Sequence, residues 1–245
     1  MPLLSTSFIF NTYNKVRNRY LLIIGFVLNC FNSFSQTAIT STKGIQINKT
    51  YLEIPFDVGF GFNQLPIFSA SNNETLYLSP GGGVNVGLRL LYRMPSIEYS
   101  AGITYSFSSL SRTVKNASAS FHRFIIDPQV KLILKLKNGN AINPAAGVGF
   151  FLGGKMDIDG SKLTAGEHDI FKYNTAVGGF LSLEYEWLKA EKVTFGLGLR
   201  YYTVRYDLKS LQVNSQYYSV TSVIYKFKVL NGDGLDFLFR LRIKV

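Results

Sequence analysis

The chain has 245 residues and is basic, with 26 Lys and Arg against 15 Asp and Glu. A mean hydropathy of +0.11 excludes a bundle of membrane helices. The positive charge would suit nucleic acid only as a run or a patch, and the basic residues are instead dispersed among apolar ones. What the composition favours, with 20 Phe, 15 Tyr and 22 Gly, is β structure with tight turns.

Lys15, Arg17 and Arg19 precede the apolar run 20–28, and Ser33-Phe34-Ser35 follows it. A basic flank, a short apolar core and a small-residue site are the layout of a secretory signal. Residues 1–35 are therefore expected to be a cleaved signal peptide, with 36–50 as a periplasmic lead-in and 51–245 as one domain. As a membrane anchor the run is short of the roughly 20 residues a helix needs to span a bilayer. As a lipidation site, Cys30 follows Asn29 rather than a small residue. Loss of the leader removes the cysteine and leaves 23 Lys and Arg against 15 acids.

The first strand sets Leu52, Ile54, Phe56, Val58, Phe60 and Phe62 against Glu53, Pro55, Asp57, Gly59 and Gly61. Such period-2 alternation gives one wholly apolar face. After a Ser/Asn-rich connection over 63–80, the second strand alternates Val84, Val86, Leu88, Leu90 and Tyr92 with residues that include Arg89 and Arg93. Met94-Pro95-Ser96 turns into the third strand, Ile97 to Phe107, with Glu98 on its polar face. The fourth carries Phe124, Ile126, Val130, Leu132, Leu134 and Leu136 opposite Arg123, Asp127, Gln129, Lys131 and Lys135, and ends in the Asn138-Gly139 hairpin. The fifth runs from Ile142 to Leu152, and a third long loop covers 153–171. The sixth places Leu181, Leu183, Tyr185 and Trp187 away from Glu184 and Glu186, and the seventh places Val193 to Tyr201 against a face with Arg200. The last, from Leu235, faces its apolar residues away from Asp236, Arg240, Arg242 and Lys244.

No charge falls on the apolar parity of these runs, and long and short connections alternate strictly. Both features are those of an outer-membrane barrel. The expectation is an all-β, eight-stranded antiparallel up-and-down transmembrane β-barrel, with Tyr92, Tyr99, Tyr185 and Trp187 as a periplasmic aromatic girdle. The run 220–230 also reads as strand-like. It is assigned to an extracellular hairpin arm of the fourth loop; counting it together with 39–47 gives the alternative of ten strands.

The interior parity then collects Glu53, Asp57, Arg89, Arg93, Glu98, Arg123, Asp127, Lys131, Lys135, Glu184, Glu186, Arg200, Asp236, Arg240, Arg242 and Lys244. Eight strands enclose just enough room for side chains, and charges of both signs should pair there. A plugged, salt-bridged core is expected; the competing reading is a narrow anion-selective pore.

Ser120 and His122 share a parity at the outer end of the fourth strand. Their spacing resembles that of outer-membrane lipid A deacylases, which would imply a lipid-modifying enzyme, although the order is Ser then His and no carboxylate is assignable as orienter. His168 lies between Glu167 and Asp169 on a loop. No metal spacing, phosphate loop or nucleophile elbow is present, so no metal, no cofactor and no enzymatic activity are expected.

The Ser33-Phe34-Ser35-Gln36 leader end, Gly-Leu-Gly-Leu-Arg-Tyr at 196–201 and the final amphipathic strand together resemble the outer-membrane β-barrel family of the Bacteroidetes. That family includes PorT-like proteins, and the resemblance implies a link to protein secretion or gliding. Outer-membrane lipid is the expected surrounding, with a protein partner at the extracellular loops and no nucleic acid.

Overall fold

The computed structural model describes residues 49–69, 75–111, 116–163, 166–188, 192–223 and 225–245. Residues 1–35, expected as a signal peptide, and most of the expected lead-in lie outside them. The strands are β1 (Lys49–Gly61), β2 (Leu65–Ser69), β3 (Thr75–Leu78), β4 (Gly83–Arg93), β5 (Ile97–Ser109), β6 (Ser118–Ile126), β7 (Gln129–Leu132) and β8 (Leu134–Lys135). They continue as β9 (Ala141–Asp159), β10 (His168–Tyr173), β11 (Ala176–Leu188), β12 (Val193–Thr203), β13 (Arg205–Val213), β14 (Gln216–Tyr218), β15 (Val229–Asn231) and β16 (Gly234–Lys244).

Eight antiparallel barrel strands close on themselves. β1 pairs with β4, β4 with β5, and β5 with β6 and β7. β6, β7 and β8 then pair with β9, β9 with β11, β11 with β12, β12 with β16, and β16 returns to β1. β6, β7 and β8 are one barrel strand, interrupted where Pro128 has no N–H to donate. Because β1 is paired on both sides, the barrel has no open edge for further strands, and the ten-strand alternative is overturned.

The run 220–230 is not one continuous strand. It holds a 3₁₀ turn at Val220–Ser222, a helical turn at Tyr225–Lys228 and then β15, which returns along β13. The residues 39–47 lie outside the described ones. The long connections are more regular than the sequence suggests. The 63–80 connection contains the β2–β3 hairpin, and the 153–171 loop is largely a ladder, β9 continuing to Asp159 and pairing there with β10. Gly153 (φ +63°) makes this possible. A bulge there shifts the β6–β9 register by one residue, so Lys155 and Asp157 face outward where the unbroken parity would have turned them in. β6, β9, β10, β13 and β14 thus form a sheet that continues beyond the barrel wall.

The outer face of the barrel is exposed and apolar: Phe56, Leu90, Ile103, Val148, Leu183, Leu197 and Phe239 all lie open. On β9 this face runs from Ile142 to Leu152, about the 9–11 residues a tilted strand needs to cross a hydrocarbon core. The chain is a transmembrane β-barrel.

Candidate functional site: the filled lumen and the outer rim

Inward side chains fill the barrel in two layers. The layer at the short-turn end is ionic. Arg242 reaches Glu53 Oε2 at 2.7 Å and also pairs with Glu184 and Glu186. Lys131 Nζ lies 3.2 Å from Glu98 and 3.1 Å from Glu184, and Arg93 spans Glu98 and Glu186, the latter at 2.6 Å. One step outward, Arg89 joins Glu53 at 2.7 Å to Asp127. Arg200 meets Asp57 at 2.9 Å, Asp127 at 3.1 Å and Asp236 at 2.9 Å, while Arg240 pairs with Asp57. Beside Arg200, Asp127 and Asp236 border a cavity of about 10 Å³, room for about one water.

The layer at the long-connection end is apolar. Phe121, Ile125, Phe151 and Phe180 are buried with Tyr202 and Tyr206. Arg123 sits among these rings and donates to Tyr206 Oη at 2.6 Å and to Tyr202 Oη at 3.0 Å. Sequence parity missed Ile125 and Phe151 because they stand beside outward Phe124, Ile126 and Phe150 and merge with them into continuous apolar runs.

The interior thus brings together Glu53, Asp57, Glu98, Asp127, Glu184, Glu186 and Asp236 with Arg89, Arg93, Arg123, Lys131, Arg200, Arg240 and Arg242, seven carboxylates with seven cations. Lys135 and Lys244 do not belong to it. Both are exposed, because they sit at strand ends beyond the last enclosed layer, where water solvates them. Asn143, which sequence reasoning did not assign to the network, is buried and donates to Glu186 at 3.2 Å. Its place opposite Glu184 on β11 was the available signal.

The four aromatic residues expected at the periplasmic side lie on the outer face. Tyr92 stands directly opposite Tyr99, and Trp187 stacks on Tyr185 and on Phe195. Such amphipathic rings suit a bilayer interface.

At the other rim, Ser120 Oγ lies 2.9 Å from His122 Nε2, and Tyr105 Oη lies 2.5 Å from His122 Nδ1. A tyrosine hydroxyl therefore occupies the position an orienting carboxylate would take. Beside them on β9, Asp157 accepts from Lys155 at 2.6 Å and from His168 Nε2 at 2.8 Å. Burial alone would raise the Asp157 pKa, but those two hydrogen bonds hold it below the ordinary value. Asp169, with a buried Oδ1 that has no hydrogen-bond partner, is shifted upward by burial and by nearby Glu167.

No family model matches the chain, and no curated protein matches it. Among solved structures it is similar to Neisserial surface protein A at 11% identity and TM-score 0.47, the match covering 80% of this chain and 97% of that one. It is also similar to the outer membrane protein AlkL at 8% identity and TM-score 0.46, covering 84% and 94%. A third is the outer membrane protein OprG of Pseudomonas aeruginosa at 10% identity and TM-score 0.47, covering 80% and 96%.

Proposed function

We propose that this chain is an integral outer-membrane protein with a closed, charge-paired lumen, serving as a structural or interaction protein through its extracellular sheet. The observation that carries this reading is the pairing of seven interior carboxylates with six cations, capped by a layer of packed aromatic rings that holds the seventh cation, Arg123. A conduit needs open volume and unspent charge along its axis, and this lumen spends its charge on itself. The finer assignment to the PorT-like proteins, with a part in secretion, rests on the leader end and the 196–201 motif.

Single-channel recording of the purified protein in a planar bilayer tests the closed lumen, with heat-modifiable gel migration reporting the barrel. Silence from a confirmed barrel is expected. A steady anion-selective current would overturn the reading and make the interior arginines a conduction path.

The hydrogen bond from Ser120 to His122 favours a second reading, a lipid-modifying enzyme with Ser120 as nucleophile and His122 as base. Ser120→Ala tests it by mass spectrometry of membrane lipid. An unchanged lipid profile is expected, and loss of a deacylated species on substitution would establish the enzyme.

A further inference from the structure

On the outer wall the bulge at Gly153 has a second effect. Lys155 becomes the first charged residue beyond Leu152, the end of a bilayer-spanning apolar run. On the neighbouring strand Lys172 is the first charge beyond exposed Val177. The two lysines are direct cross-strand partners in the β9–β10 ladder. On β13 the partner of Lys172 is Ser210, and Lys209, exposed between buried Leu208 and half-buried Ser210, is the residue skipped at the register shift. On the opposite side, Lys155 is the partner of His122. One row across four adjacent strands therefore reads His122, Lys155, Lys172 and Lys209. At about 4.8 Å per strand the row is roughly 14 Å wide.

Like charges placed directly opposite on neighbouring strands destabilise a sheet. Asp157 offsets Lys155 from one pair further out, but Lys172 and Lys209 have no ion pair among the described residues. The row lies where the apolar belt ends, at the level of lipid headgroups. Anions there would relieve the repulsion between the lysines, and cationic side chains at that level attract anionic lipid.

We propose that Lys155, Lys172 and Lys209 form a binding site for the phosphate of an outer-leaflet lipid headgroup, the lipid's acyl chains lying along the apolar wall below. The site rests on the membrane placement argued above. Its chemistry is that of charge-assisted hydrogen bonds from ammonium groups to phosphate oxygens.

The test uses the full-length protein purified in detergent and native mass spectrometry with three probes: bis-phosphorylated lipid A, the same lipid with its phosphates removed, and inorganic phosphate. Retention of the phosphorylated lipid over the dephosphorylated one is expected, with millimolar inorganic phosphate failing to displace it. Lys172→Gln with Lys209→Gln should weaken retention by about fivefold or more, the scale of losing exposed charge-assisted contacts. Lys135→Gln, at the opposite rim, should leave it unchanged, and Lys172→Arg should preserve it. Equal retention by the double variant, or equal retention of the dephosphorylated lipid, would overturn the site. Displacement by inorganic phosphate would show an anion site that does not recognise lipid. Failure of the membrane placement itself reads out separately, as protein absent from the membrane fraction before any lipid is added.

Discussion

Arg242 and Glu53 face each other across the seam where the last strand meets the first, as Cα partners in the β16–β1 ladder with Nε 2.7 Å from Oε2. The same guanidinium also holds Glu184 and Glu186 on β11, two strands along the wall, so one side chain joins the closing seam to β11. Removing it leaves three buried carboxylates short of a partner. Arg242→Met is expected to cost about 3–5 kcal/mol, the scale for breaking a buried ionic group. The urea midpoint for loss of heat-modifiable migration measures it. Glu53→Gln should cost less, because Arg242 keeps two of its carboxylates.

At Gly83 the backbone has φ +113°, and an added Cβ would lie 2.0 Å from the Phe107 carbonyl oxygen. Both the conformation and the close approach of β5 exclude a side chain. Gly83→Ala should lower stability by about 1–3 kcal/mol, read from the same urea titration, whereas Gly139→Ala, in open space on its hairpin, should cost only its positive φ.

The barrel was legible because a lipid-facing wall forces strict alternation, and eight runs from Leu52 to Val245 carry it. Individual ion pairs were not legible. Arg93 with Glu186, 93 residues apart, meets across the lumen rather than along a hairpin, and sequence parity supplies no register for that. Nor did parity survive Gly153, where one extra residue reverses the facing of everything up to Asp159. Lys155 therefore read as part of a polar loop, and the sheet beyond the wall was hidden. Of the rim pair, Ser120 and His122 were legible from their shared parity, but the Tyr105 contact depends on the β5–β6 register.

Arg123 sets a cation inside the apolar layer. It is buried beneath Phe121, Phe151, Tyr202 and Tyr206, and its hydrogen bonds go to the two tyrosine hydroxyls and to Ser106 at 3.2 Å. Arg123→Met would leave those hydroxyls short of a donor and remove a desolvated cation–π contact, a loss of about 2–4 kcal/mol. Because β13 and β15 hang on Tyr206 and its neighbours, the sheet beyond the barrel wall should loosen before the barrel does. Limited trypsin digestion is expected to cut the variant within 205–231 while heat-modifiable migration persists; uncut β13 would show that the rings hold the sheet without the cation.

Asp157 on β9 and Asp169 on β10 lie on neighbouring strands of the sheet that continues beyond the barrel wall, and they should give opposite pH responses. Asp157, held below its ordinary pKa by Lys155 and His168, contributes stability that is present above the unfolded-state pKa and is lost as pH falls through the lower folded value. Asp169, raised by burial and by Glu167, does the reverse: its favourable protonated form is fully populated below the unfolded pKa, and that advantage disappears as pH rises through the higher folded value. At neutral pH the charged Asp169 is a liability, since its Oδ1 is buried without a partner. Asp169→Asn should therefore raise the unfolding temperature at pH 7 and lose that gain below the ordinary carboxylate range. Asp157→Asn should lower it at pH 7, with the deficit shrinking as the solution is made acidic. Thermal scans of both variants from pH 3 to pH 7 measure the two slopes, and slopes of the same sign would show that the Lys155 and His168 contacts do not hold Asp157 charged.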